Sequence, residues 1–248
     1  MKALILAAGY ATRLYPLTEN FPKPLLDVGG KAILDWLIED LQTSGMVDEY
    51  VVISNHKFAQ HFRDWAAGHS APVTVVDDGT STNETRLGAV KDIQFALEAR
   101  QIDGDVVVLA GDNVLDFSLV PFLRYGQAHN CSCVMCYEEP ELARQQRTAI
   151  ITIDAARTIT DYEEKPKAPK SCLAVPPFYY YRAQDVRRIP EGLADGCGYD
   201  APGSFAAWLS RRTTLKAYPM PGNRYDVGNL ASYESIKASY RGITVKER

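Results

Sequence analysis

Residues 4–26 read LILAAGYATRLYPLTENFPKPLL. The run 2–8 is short and mostly apolar, and it stops abruptly at Gly9. Such a run reads as a strand buried on both faces. The loop after it is rich in small residues and carries two cations, Arg13 and Lys23, with Lys23 set between Pro22 and Pro24. A strand that delivers a loop of this kind suits a polyphosphate. Small residues let backbone N–H groups approach the oxygens, and fixed cations neutralise the charge. The loop is not a Walker A sequence, because no G-K-[ST] follows at the required spacing, and it is not G-x-G-x-x-G.

Working outward, the first half alternates. Strand-like runs at 50–54, 73–77 and 105–110 are separated by helix-like stretches at 32–43, 58–67 and 88–100. Leu34, Leu37, Ile38 and Leu41 keep helical spacing, as do Val90, Ile93 and Leu97. Strand–helix alternation predicts right-handed crossovers and a mostly parallel sheet with helices on both faces. After Gly111 the rhythm changes. A helix near 119–129 leads to strand-like runs at 132–137, 148–153 and 158–163, a Lys/Pro turn at 165–170, and one further run at 172–181. Helical patterns return at 201–211 and 230–240. The expected fold is therefore α/β, three-layered, with a mixed, mostly parallel central sheet. Residues 1–242 read as one domain, with a nucleotide-binding half at 1–115 and an acceptor-binding half at 116–242. A polar tail at 243–248 is expected to fray.

The 248 residues carry a formal net charge of −4, which argues against nucleic acid as the main partner. No apolar run approaches the ~18 residues of a membrane span. Five cysteines without a secretory context point to a reduced, cytoplasmic protein. Cys131, Cys133 and Cys136 have a metal-like spacing, but alternation along NCSCVMCY favours a strand with small buried residues. The four histidines show no ligand spacing, and no serine lies in a G-x-S-x-G context.

Three further stretches are placed for chemistry. LAGDN at 109–113 puts Asp112 just past a buried strand, where ligands bind in open parallel sheets. A carboxylate there can hold Mg²⁺ against phosphate oxygens. It can equally cap a helix near Ser118 or form a turn with Asn113. YEEKP at 162–166 is an exposed charged hairpin end or a contact for a phosphorylated partner. RYDVGN at 224–229 makes Asp226 a helix-entry residue or a second metal ligand. ETRLGA at 84–89 reads as a helix start, with Thr85 as a candidate cap.

Gly9, Thr12, Arg13, Pro16, Thr18, Lys23 and Pro24 stand in the arrangement G-x-x-T-R-x-x-P-x-T followed by K-P. With G-D-N, E-K-P and D-V-G in the same order, this resembles the signature of the sugar-1-phosphate nucleotidyltransferases, among them glucose-1-phosphate thymidylyl- and cytidylyltransferases. The family loop is usually G-x-G-T-R, and Ala11 stands here at the second Gly, which restricts the backbone. The resemblance implies the nucleotide-diphospho-sugar transferase fold. It also implies a reaction in which an NTP and a phosphorylated acceptor give an NDP-linked product and pyrophosphate. It assigns catalysis to Arg13, Lys23 and Asp112. Nucleotide contacts fall to Leu6, Ala8, Gly9, Ala11, Thr12, Arg13, Lys23, Asn83 and Gly88. Acceptor contacts fall to Glu164 and Lys165, and Mg²⁺ to Asp112 and Asp226. The residues at 83–86 do not match the Gln-containing segment of thymidylyltransferases, so the base stays open. Pro176-Pro177 replaces a V-x-G-[IL]-Y-like segment and removes two backbone donors, so a non-sugar phosphorylated acceptor or phosphonate used with CTP is a variant reading. A catalytically silent nucleotide-binding homologue and a glycosyltransferase are further alternatives. No membrane or nucleic-acid partner is expected, and a homo-oligomer is possible on this reading.

Overall fold

The computed structural model describes residues 1–245 of the 248. The strands are β1 (Lys2–Leu6), β2 (Asp27–Val28), β3 (Lys31–Ala32), β4 (Glu49–Ser54), β5 (Val73–Asp77), β6 (Val106–Ala110) and β7 (Asn113–Leu115). They continue with β8 (Ser132–Glu138), β9 (Ala149–Ile153), β10 (Ile159–Glu164), β11 (Leu173–Val175), β12 (Phe178–Tyr181), β13 (Leu215–Pro219) and β14 (Arg224–Asp226). The helices are α1 (Ile33–Gln42), α2 (Ala59–Ala67), α3 (Ala89–Ala99), α4 (Val120–His129), α5 (Leu142–Gln145), α6 (Ala183–Val186), α7 (Ile189–Ala194), α8 (Gly203–Leu209) and α9 (Leu230–Ser239).

One 10-stranded sheet runs in the order β10-β9-β11-β8-β12-β6-β1-β4-β5, with β13 added beside β8. The strands β1, β4, β5, β6, β8, β9 and β13 run one way, and β10, β11 and β12 run against them. The sheet is thus mixed and mostly parallel, and its parallel core is β6-β1-β4-β5. The alternation expected in the first half is what puts it there. Ala3, Ile5, Tyr50, Val52, Val107 and Leu109 face α1, α2 and α4. Leu4, Val51, Ile53, Val106 and Val108 face α3, α7 and α8. Both faces of these strands are apolar, so they read as continuous hydrophobic runs.

A third, smaller core gathers Leu14, Leu26, Val28, Ile33, Val114, Val227, Tyr233, Ile236 and Tyr240. It presses α9 against the loop that follows β1. The Tyr233 hydroxyl donates to the Asp27 carbonyl at 2.9 Å, and the Tyr240 hydroxyl donates to the Leu115 carbonyl at 2.7 Å. The last helix of the chain therefore fixes the first loop.

Three sequence expectations change. The single run at 172–181 is two strands. Pro176-Pro177 breaks it, and the chain leaves a pairing with β8 and β9 to join β6 and β8. Residues in the tail do not fray up to Val245, which bridges Phe117 in parallel while its carbonyl accepts the Ser118 N–H at 2.8 Å; positions 246–248 lie outside the described residues. Cys131 falls just before β8 and is half-buried, whereas Cys133 and Cys136 are buried on opposite faces. Among the described residues no helix is long and apolar enough to cross a membrane.

Candidate active site

The phosphate-type loop is braced from within. Ala11 sits in the left-handed region at φ 46°, and its carbonyl accepts the Thr18 hydroxyl at 2.8 Å and the Leu14 N–H at 2.9 Å. Thr18 is fully buried. The loop thus adopts at Ala11 the conformation for which a glycine is the low-strain choice. At the end of β4, the buried Asn55 donates to the Ala8 carbonyl at 2.9 Å and accepts from the Phe58 N–H. Asn55 and Thr18 hold the loop from two sides. Sequence reasoning did not single out Asn55, whose only signal is its place directly after a strand.

Lys23 lies in a single 3-10 turn and is 7% exposed. Its ammonium donates to Asp112 Oδ2 at 2.7 Å and stands 3.6 Å from Asp226 Oδ1. The two carboxylates lie far from Lys23 in sequence, Asp112 89 residues on and Asp226 later still. They meet because β14 pairs antiparallel with β7, which sets Asp226 beside Asn113. Asp112 does not cap the helix after Ser118; it lies in the turn past β6 and bonds Asn113 there, as expected. Its Oδ1 accepts from Asn113 Nδ2 at 2.9 Å, and Asn113 Oδ1 accepts from Arg224 Nη1 at 2.7 Å. Lys23, Asp112, Asn113 and Arg224 form one chain of polar contacts, in which Asn113 is almost fully buried. Arg224 was in a motif but had no assigned part.

Two cavities open on this chain. The smaller, about 580 Å³, is bordered by Leu6, Gly9, Ala11, Arg13, Lys23, Asp112 and Asp226. The larger, about 1200 Å³, runs from Tyr137 and Glu138 past Arg144 and Arg147 to Pro176 and α9. Arg13, Pro177, Arg224, Asp226 and Gly228 border both, so the cavities join there. Among the described residues that line either cavity, Ala8, Thr12, Asn83, Gly88, Glu164 and Lys165 do not appear. Ala8 and Thr12 flank the loop residues that do.

Gly88 starts α3 at φ +90°, and an added Cβ would lie 2.7 Å from the Tyr199 carbonyl oxygen. Thr85 does not cap α3. The Asp200 and Tyr199 carbonyls accept the Ala89 and Val90 N–H groups instead, at 3.2 and 2.9 Å. Arg86 reinforces that contact through Asp200 Oδ1 at 3.0 Å. Glu164 borders neither cavity and lies against Gly203, the residue after the cavity-lining Pro202. Its Oε2 is buried with no hydrogen-bond partner and would meet a Cβ on Gly203 at 2.4 Å. Burial pushes the Glu164 carboxyl up, with Lys165 pulling the other way.

Behind the loop lies a second buried acid. Asp92, in the first turn of α3, is 6% exposed and its Oδ1 has no hydrogen-bond partner. Burial, and then the Asp78 carboxylate, pushes it up to about 7. Its ordinary value is 3.8, so between 3.8 and about 7 the folded chain binds more protons than the unfolded one. Stability from this group is complete below that window and is lost as pH rises through it. Asp92→Asn is expected to flatten the dependence of Tm on pH. At pH 8 it should be more stable than the parent by up to about 4 kcal/mol, and near pH 4 the two should match. Parallel curves for the two proteins would show that Asp92 does not titrate in this way.

Comparison with known proteins agrees with this architecture. The family model described as nucleotidyl transferase matches residues 2–242. The glucose-1-phosphate adenylyltransferase of Thermosipho africanus (strain TCF52B) is 28% identical over 247 residues, covering 93% of this chain and 59% of that protein. The UTP–glucose-1-phosphate uridylyltransferase of Haloferax volcanii is 29% identical over 232 residues, covering 92% and 91%. The chain thus spans about three fifths of the length of the Thermosipho relative and most of the Haloferax one. A crystal structure of UDP-glucose pyrophosphorylase complexed with UDP-glucose superposes with a TM-score of 0.82 at 20% identity, covering 96% of this chain and 97% of that one. At that identity the likeness speaks for the fold. A match that runs from the first strand, through the Lys23 cluster, to the end of α9 settles the lineage: the chain belongs to the nucleotidyl transferase family.

Proposed function

We propose that the chain is a nucleotidyltransferase that joins an NTP to a phosphorylated acceptor, a sugar 1-phosphate in the first instance, and releases pyrophosphate. One observation carries this reading. A buried lysine and two carboxylates converge where two cavities meet, with Arg13 on the shared rim. Two substrates can then face each other across one phosphorus atom. The half at 1–115 takes the nucleotide in the smaller cavity, and the half at 116–242 takes the acceptor.

The chemistry asks for alignment and charge neutralisation, without a covalent enzyme intermediate. Arg13 would hold the departing pyrophosphate. Lys23 would move from Asp112 to the α-phosphate as the nucleotide enters. Asn113 and Arg224 hold the Asp112 carboxylate in place meanwhile. Asp112 and Asp226 suit a divalent cation, Mg²⁺ in this proposal, because both already direct an oxygen at one cation, the Lys23 ammonium. Two carboxylates plus phosphate oxygens are a usual Mg²⁺ donor set. When bound, the ion supplies charge neutralisation and orientation at the α-phosphate. Free cysteines fit a reducing, cytoplasmic setting.

A second reading has its own support. Pro176 and Pro177 line the acceptor cavity without an N–H to offer. A wall without those donors suits an acceptor poorer in hydroxyls than a hexose, with CTP proposed as its nucleotide. The test is pyrophosphate release from CTP, UTP, dTTP, ATP and GTP, each with sugar 1-phosphates, small phosphorylated alcohols and a phosphonate. Release with at least one pair is expected, and silence across the whole set would sink the reading.

A further inference from the structure

We propose that Asp200 is a substrate-binding residue of the smaller cavity, where its carboxylate accepts hydrogen bonds from two neighbouring hydroxyls of a bound substrate, those of the NTP ribose in the first instance. The inference rests on the nucleotidyltransferase reading for the substrate and on the wall of the cavity for the residue. Among the described residues, three carboxylates border the smaller cavity: Asp112, Asp226 and Asp200. The first two converge on the Lys23 ammonium. Asp200 has its cation outside. Arg86 Nε donates to its Oδ1 at 3.0 Å, and Arg86 is not part of the cavity wall. No hydrogen bond among the described residues reaches Asp200 Oδ2.

A carboxylate without a cation in the cavity would repel a triphosphate brought close to it. The cations of the wall, Arg13, Lys23 and Arg224, mark where phosphate charge is held. Asp200 shares the wall instead with Ala89 and Pro202, which carry no charge. The neutral, hydroxyl-bearing part of a substrate fits that place. One carboxylate can accept O–H bonds from two neighbouring hydroxyls, and such charge-assisted bonds are short and strong. Dinucleotide sites read a ribose hydroxyl with an acidic residue by the same chemistry. This contact adds to those at Asn83, Gly88 and Glu164 that the family resemblance implies.

The residue is also held in place before any ligand arrives. The Asp200 and Tyr199 carbonyls accept the Ala89 and Val90 N–H groups at 3.2 and 2.9 Å. Gly88 packs so closely that an added Cβ would lie 3.0 Å from Asp200 Cα. The Lys91 ammonium stands 4.3 Å from the centre of the Tyr199 ring. Arg86 is anchored in turn, because its Nη1 donates to the Asn83 carbonyl at 2.8 Å. A carboxylate fixed in this way loses little freedom on binding, which favours affinity. The acceptor half thus lends one polar group to the cavity that takes the nucleotide.

The test sets the parent against Asp200→Ala and Asp200→Asn in the full chain. Each is assayed with the NTP and acceptor that the parent turns over, with the 2′-deoxy and 3′-deoxy forms of that NTP, and with acceptors lacking one hydroxyl. In the parent, removing a hydroxyl that Asp200 reads should lower kcat/KM about 10- to 100-fold, the range for a hydrogen bond to a charged group. In Asp200→Ala the same removal should change kcat/KM less than about threefold, and Asp200→Asn should lie between. Discrimination lost on the NTP places the hydroxyl pair on the ribose, and discrimination lost on the acceptor places it there. A merely structural Asp200 would lower turnover of complete and hydroxyl-deficient substrates alike. That result overturns the inference, as does an Asp200→Ala protein that discriminates like the parent. Calorimetric titration needs no turnover. The parent should bind the complete NTP or acceptor about 10- to 100-fold more tightly than its deoxy form, and Asp200→Ala should not. A parent that releases no pyrophosphate with any pair contradicts the proposed activity, and the titration still decides the part of Asp200. A parent that binds neither ligand contradicts both.

Discussion

Replacing Lys23 with Gln is expected to lower kcat for pyrophosphate release by about 100- to 1000-fold while leaving the fold intact. The magnitude is that of removing one fixed donor from a developing charge, about 2.7–4 kcal/mol. Geometry makes Lys23 the residue most exposed to this argument. It is 7% exposed, it lies at the floor of the smaller cavity, and it is the cation on which both carboxylates converge. Folding should tolerate the change, because the Asp112 and Asp226 side chains are 40% and 59% exposed and water can solvate them. Loss of the ammonium also leaves two carboxylates facing each other uncompensated. Divalent cation binding to the nucleotide-free protein, followed by Mn²⁺ paramagnetic resonance, should then tighten relative to the parent. A Lys23→Gln protein with kcat within about threefold of the parent would remove Lys23 from the chemistry.

The second large effect concerns stability. Gly126 lies inside α4, where a change to Ala ordinarily improves helix propensity by about 1 kcal/mol. Here the opposite sign is expected. A Cβ at 126 would lie 2.4 Å from Cδ1 and 2.6 Å from Cγ of Tyr180. That ring cannot step aside. Tyr180 is fully buried in β12 between β6 and β8, and its hydroxyl donates to Asp105 Oδ2 at 2.6 Å. Overpacking of this kind costs about 1–3 kcal/mol or more. Gly126→Ala should therefore lose about 2 kcal/mol net, a fall in Tm of roughly 4–8 °C for a chain of this size. A gain in Tm would mean that helix and sheet separate more readily than this packing allows. Because Tyr180 follows Pro177 closely on β12, and Pro177 borders both cavities, the same strain should reach their junction.

Much of this architecture was legible in the residues. Apolar runs such as VVVLA at 106–110 have one stable home, a strand covered on both faces, and Asp112 follows from it. The parts that were not legible depend on contacts between distant segments. Nothing local to Gly88 announces that Tyr199 and Asp200 will cap α3, since capping by a remote backbone leaves no side-chain signature. The break at Pro176-Pro177 looked like a perturbed strand, and only the pairing of the two pieces with different neighbours shows it as a change of partner. Glu164 is a different case. Strand residues two apart share a face, and Glu164 is two residues from the fully buried Tyr162. That parity already placed its side chain toward the start of α8. Likewise Arg224 stood in a recognised motif, but its partner Asn113 lies 111 residues away and becomes adjacent only through the β7–β14 pair.

The central claim is a single in-line displacement at the α-phosphorus, with NTP and acceptor bound together across the Lys23 cluster. Exchange of labelled pyrophosphate into NTP tests it most directly, run with and without the phosphorylated acceptor. Because no nucleotidyl-enzyme forms on this account, exchange should be absent with NTP and Mg²⁺ alone and should appear once the acceptor is added. Exchange at a comparable rate without acceptor would contradict the account, since it would require the nucleotidyl group to rest on the protein itself.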